Sequence, residues 1–184
     1  MIKPTPENAK IIQSWWREMH PDKQSGYRGD RAGIAKLRHA TTVMEASMEP
    51  AVLGLCRGLR AGPTDMNQVA LIAAVLADLR EAASGVSIAR ALGPPEGQPE
   101  GTPLCSASRF RRILEATEPD AQLTALRRAL ALLKHNGNLN DLVQSLLDWN
   151  DPYRRDARRQ RWLYDYYQTN DPEKSSSIAV EAQP

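Results

Sequence analysis

Within "DPYRRDARRQRWLYDYYQ", residues 151–168, the side chains of Arg154, Arg155, Arg158, Arg159 and Arg161 stand among Trp162, Tyr164, Tyr166 and Tyr167. Guanidinium groups offer forked donors that match phosphate oxygens, and aromatic planes stack on bases. Smaller basic groups recur upstream: Lys36 with Arg38, Arg109 with Arg111 and Arg112, and Arg127 with Arg128. The chemistry these residues suit is a grip on a polyanion through its phosphates. The alternatives are a helix packed onto a core, or both functions on different faces.

No constellation for catalysis accompanies them. His20, His39 and His135 are far apart and share no ligand spacing with cysteine or acid. Ser84 and Ser106 fall near helix starts, where capping explains them better than nucleophilic attack. Asp148 and Asp151, three residues apart, read as solvated acids at a helix end. The sequence therefore points to no enzyme, no metal and no cofactor.

Composition sets the frame for these groups. The 184 residues are 41% hydrophobic and 25% charged, as in an ordinary soluble domain, and the net charge is only +2. Distribution, not total charge, carries the nucleic-acid signal. Many Ala and Leu residues, few β-branched residues and one Phe favour helix over sheet. Cys56 reads as small core filler, and neither it nor Cys105 has disulfide or metal spacing. With no long apolar run and no basic-plus-apolar leader, the expectation is a cytoplasmic protein off the membrane.

The elements that must position the basic groups follow from caps and periodicity. Thr5, Pro6 and Glu7 open a helix whose stripe is Ile11, Ile12, Trp15, Trp16 and Met19, with the tryptophans as core. Asp30 caps a helix that turns Ile34 and Leu37 inward. Another helix follows Pro50 through Val52, Leu55, Cys56 and Leu59, and Thr64 caps the next, with Val69, Ile72, Ala73, Leu76 and Leu79 as its buried stripe. A short helix spans 87–92.

"GPPEGQPEGTP" then breaks the pattern and divides the chain. The organisation expected is all-α: an N-terminal helical half over 1–93, a Pro/Gly-rich linker over 94–105, a C-terminal helical half over 106–168 and a disordered tail over 169–184. In the second half Ser106 caps a helix with Phe110, Ile113 and Leu114 inward. Thr117 caps the next, whose stripe is Leu123, Leu126, Ala129, Leu130 and Leu133, and Gly137 supplies a left-handed residue after it. Asn138 or Asn140 caps a helix carrying Leu142, Val143, Leu146 and Leu147. No strand pattern and no internal repeat is expected.

On a helical wheel, Tyr153, Ala157, Leu163, Tyr164 and Tyr167 share one face of the last helix, the expected core side. Arg154, Arg158 and Arg161 form one stripe, closed by Asp165, and Arg155 and Arg159 another. Trp162 or Tyr166 beside Arg159 stacks on a base or a guanidinium, or is partly buried. Arg127 and Lys134, one heptad apart, share a flank of their helix. The residues alone read as a helical protein with a phosphate-binding surface that ignores sequence.

The order of "GDRAGIAKLRHA", "SIARAL", "SASRFRRILEA", "LTALRRALALLK" and "NLNDLVQSLLDWND…RRQRWLYDYY" resembles the CasB family, the small subunit of the type I-E CRISPR complex Cascade. The resemblance runs from Asp30 to Tyr167. It implies a small all-helical protein without catalytic activity, in two bundle-like halves. Two copies of such a protein stack beside the backbone subunits, near the large subunit. There they contact guide RNA and target DNA and help hold the displaced strand.

Residue by residue, the family's "LRR" falls on Leu126, Arg127 and Arg128, and its "RFRR" on Arg109, Arg111 and Arg112. Its early "LRRA" falls on Leu37, Arg38, His39 and Ala40, with His39 in place of the second arginine. Lys36, Arg154, Arg155, Arg158 and Arg159 complete the expected nucleic-acid contacts. The proline-rich stretch at 93–103 is longer than the family pattern and reads as a loop elaboration. Two other classes remain open: a protein–protein spacer and a helical DNA-binding regulator.

Overall fold

Residues 1–21, 26–95 and 101–167 of the computed structural model are described here. The expected tail at 169–184, the middle of the expected linker and part of the first loop lie outside them.

Ten α-helices run in order: α1 (Pro6–Met19), α2 (Arg31–His39), α3 (Val43–Ser47), α4 (Pro50–Leu59), α5 (Met66–Asp78), α6 (Ile88–Leu92), α7 (Ala107–Glu115), α8 (Pro119–Leu132), α9 (Leu139–Asn150) and α10 (Arg155–Tyr167). Their starts follow sequence chemistry. The side chains of Thr5, Asp30, Ser87 and Asn138 each accept a first-turn amide, from Asn8, Gly33, Arg90 and Asp141. Helix α3 was not expected, although "TTVME" holds its signal: Thr42 accepts the Glu45 amide, and the Glu45 carboxylate accepts the Thr41 amide at 2.6 Å. Two expected caps fall elsewhere. Thr64 lies inside a 3-10 turn, Pro63–Asp65, and the cap position of α8 is Glu118, not Thr117, with no side-chain cap bond.

Helix α5 organises the interior. Every residue from Val69 to Ala77 is buried, because an all-apolar helix must be covered on all sides. Around it pack α2, α3, α4, α8 and α9. Trp16 donates its indole N–H to the Leu76 and Leu79 carbonyls and Trp15 to that of Ala51, so both tryptophans are core, as expected. The buried apolar residues form one cluster to which both sides of the proline-rich segment contribute. The ends of that segment are tied by the Cys105 amide on the Leu92 carbonyl, at 2.9 Å.

Among the described residues the all-α fold carries one short sheet. Strands β1 (Glu81–Ala83) and β2 (Asn136–Asn138) pair in parallel, Ala82 opposite Gly137. Three-residue strands leave no periodicity to read. Gly137 is not the left-handed residue expected: Lys134 and His135 take positive φ, 54° and 61°, and end α8. Glycine at 137 instead leaves room for the end of the Ile88 side chain, which a Cβ there would push aside. Lys134 therefore does not share a helical flank with Arg127.

Candidate nucleic-acid interface

Helix α10 answers how arginines and aromatic rings share one segment. Trp162 and Tyr166 are its buried residues, and Phe110 of α7 stacks on Tyr166 at 4.0 Å between ring centroids. The Trp162 N–H donates to Ser145 Oγ of α9 at 2.9 Å, and the Tyr166 hydroxyl to the Cys105 carbonyl at 2.6 Å. The expected core face is overturned by these contacts: Tyr153 is 94% exposed, and Leu163, Tyr164 and Tyr167 also face outward. The face that wins is the one whose polar tips reach hydrogen bonds on neighbouring helices.

Arg158 belongs to the same inward face. Its Nε and one terminal nitrogen bond Asp148 Oδ2 at 2.9 and 2.6 Å, and Asp141 Oδ1 lies 3.6 Å from the other. Asp148 and Asp151 are buried, not solvated as expected, because this guanidinium and the amide of Tyr153 need acceptors there. Asp141 also accepts the Ile88 amide, and burial pushes its carboxyl above the usual range.

Arg127 is committed inside as well. It donates to the carbonyls of Ala40 and Leu37 at the end of α2, and its Nε stands 2.7 Å from Asp78 Oδ2. A cation at a helix C-terminus satisfies carbonyls that have no partner within the helix. Arg38 is half-buried with Nε on the Ala77 carbonyl at 2.7 Å; burial and then Arg80 pull its pKa below the usual arginine value. Arg127 and Arg158 thus turn inward as struts between helices, and half-buried Arg38 is tied by its Nε to the end of α5.

The remaining expected residues divide by exposure. Arg109, Arg111, Arg112 and Arg128 are exposed, and none makes a hydrogen bond or ion pair among the described residues. The buried triplet Phe110, Ile113 and Leu114 turns the α7 arginines outward. Arg109 and Arg112 meet Arg128 around a cleft of about 440 Å³ between α7 and α8, with Ile113, Ala129 and Leu132 in its lining. Lys36 is exposed, 3.6 Å from Glu49. Arg154 is exposed with Asp148 at 3.9 Å, Arg159 half-buried with Asp156 at 3.8 Å, and Arg155 half-buried with its Nε unbonded.

The structure thus gathers Arg109 and Arg112 of α7 with Arg128 of α8, whereas Arg154, Arg158 and Arg159 each stand against a carboxylate. Sequence reasoning missed Asp78 and the inward role of Asp148, the acceptors that hold Arg127 and Arg158 as struts. Their partners lie too far along the chain for a local pattern to show. Among the described residues no group of three or more His, Cys, Asp or Glu side chains is placed to hold a metal ion. No helix among them is long and apolar enough to cross a membrane.

Residues 33–167 match the family model of the CRISPR-associated protein Cse2. No curated protein sequence matches the chain. The crystal structure of a Cse2-family CRISPR-associated protein from Thermus thermophilus superposes with a TM-score of 0.60 at 24% identity, covering 88% of this chain and 98% of that one. That likeness extends the helical architecture beyond the matched span. The residues, the fold and the family model agree: the chain belongs to the Cse2 family of CRISPR-associated proteins, the CasB small subunits of the type I-E Cascade complex.

Proposed function

We propose that the protein is a non-catalytic subunit of the type I-E Cascade ribonucleoprotein that grips the phosphate backbones of guide RNA and target DNA. It steadies the displaced strand while the R-loop forms in antiviral defence. Base pairing reads the sequence in such assemblies, and the protein supplies backbone contacts. The observation that carries this reading is the set of unpaired, exposed guanidinium groups on α7 and α8: Arg109, Arg111, Arg112 and Arg128. Lys36, Arg154, Arg155 and Arg159 extend it, while Arg38, Arg127 and Arg158 hold the scaffold beneath. Its partners are the backbone and large subunits, a second copy of itself, guide RNA and target DNA, with the whole assembly in the cytoplasm.

The test is a salt titration of assembled Cascade on matched target duplexes. The combined variant Arg109→Ala, Arg111→Ala, Arg112→Ala and Arg128→Ala weakens binding about equally across sequences. It also flattens the plot of log affinity against log salt by roughly one unit for each phosphate no longer neutralised. An unchanged slope would assign these arginines to a protein partner instead.

A further inference from the structure

Three of the unpaired arginines do more than decorate a surface. Arg109, Arg112 and Arg128 converge on one concavity, and no acidic side chain lines it. The nearest acids on the adjoining groove are Glu115 and Asp120, and Asp120 is engaged by the Val43 amide at 2.7 Å. Arg112 and Arg128 border that groove too, but no ion pair joins them to its acids, so the three cations repel and an anion relieves that repulsion. Burial pushes the Cys105 thiol up, against the pull of Arg109, so the thiol stays neutral beside the arginines.

The floor is of opposite character. Ile113 and Ala129 are buried, and Leu132 is part-buried beside them. A site for bare phosphate has no use for an apolar floor, and a duplex backbone cannot enter a concavity of this size. About 440 Å³ falls within the ~300–1,000 Å³ range of small-molecule sites. Guanidinium planes also stack on exposed base faces while donating to phosphate oxygens.

We propose that the α7–α8 cleft takes one unstacked nucleotide of a single-stranded nucleic acid. Its base lies on Ile113, Ala129 and Leu132, and its flanking phosphates meet Arg109, Arg112 and Arg128. This deepens the phosphate-binding reading above and rests on it. The cleft contributes affinity for single strands over duplexes without reading the base, because its floor carries no hydrogen-bonding side chain.

The experiment follows the methyl resonances of Ile113 and Leu132 in the full chain while short oligonucleotides are added. The probes are oligothymidylate, oligouridylate and an oligomer of abasic deoxyribose phosphates; polyglutamate serves as an acidic protein mimic. Both base-bearing strands are expected to shift these methyls and the abasic chain not, the tighter of the two naming DNA or RNA as the occupant. Ala131→Trp, which fills the exposed side of the cleft, should weaken oligothymidylate binding by about fivefold and leave abasic binding unchanged. Arg109→Ala with Arg128→Ala should weaken both.

Wild-type methyls that stay still with oligothymidylate overturn the base site, and this arm does not depend on any variant folding. If the arginine variant still weakens both chains, the phosphate reading survives that result. No effect of the arginine variant on either chain, or no binding at all, overturns both readings. Methyl shifts as large with polyglutamate as with oligothymidylate would give the cleft to an acidic protein segment and overturn the proposal.

Discussion

Arg127 and Asp78 lie 2.7 Å apart, Nε to Oδ2, and through them α8 is bound to the C-terminal ends of α2 and α5. The next residue, Arg128, has no partner among the described residues and faces the α7–α8 cleft. Two adjacent arginines of one motif thus carry opposite duties.

Their substitutions should separate accordingly. Arg127→Ala strands Asp78 and the carbonyls of Leu37 and Ala40 in a largely buried place, and should destabilise the fold by about 3 kcal/mol. Arg128→Ala should change stability by less than about 0.5 kcal/mol and act on binding alone. Urea unfolding of both variants checks this; equal losses would refute the division.

On α10 the buried rings, not the exposed ones, should hold stability. Trp162→Ala should cost about 3–5 kcal/mol, as a large side chain removed from a packed site. Tyr166→Phe removes the bond to the Cys105 carbonyl and should cost about 1–2 kcal/mol. Tyr153→Ala, at a fully open position, should leave the denaturation midpoint unchanged.

His20 should make stability depend on pH. Its ring is buried and stacks on Trp16, and Nδ1 bonds the Trp16 carbonyl at 2.9 Å. Burial lowers its pKa below 6.5, and Arg38 adds to the effect. The folded state therefore binds the proton less well than the unfolded chain. The group's contribution is whole above pH ~6.5 and declines as pH falls toward the folded value. His20→Gln should flatten the stability profile below about pH 6.5, measured by thermal melts at a series of pH values on either side.

Gly93 should not tolerate a side chain. A Cβ there would run into the carbonyl of Tyr166, a backbone atom that cannot swing aside. Gly93→Ala should cost about 1–3 kcal/mol and loosen α6 from α10. Faster amide exchange at Ala89 and Leu92 is the expected readout; unchanged exchange and stability would mean the two helices give way easily.

Four helix starts were legible from local rules, though the local signal of α3 was passed over. Thr5, Asp30, Ser87 and Asn138 cap through atoms three residues away, and the apolar run of α5 announced its burial. The inward face of α10 was not. The helical wheel favoured the face of Tyr153, Ala157, Leu163, Tyr164 and Tyr167, but Asp148, Ser145 and the Cys105 carbonyl decide it, and they lie 10, 17 and 61 residues from their partners. The same distance hid the interior duty of Arg127, whose acceptor on Leu37 is 90 residues away. For the α7 arginines the local pattern sufficed, because Phe110, Ile113 and Leu114 leave them one direction to point.

The ties between α6 and α10 also set an order of assembly. Ser87 Oγ donates to Asp165 across 78 residues, so α6 meets its neighbour late in synthesis. Helices α1 to α5 can close around one another while α6 and α7 still wait. A ribosome paused before residue 155 would therefore expose a chain with a settled first portion and a bare Phe110. Chaperone capture of stalled chains should fall sharply once α10 has emerged.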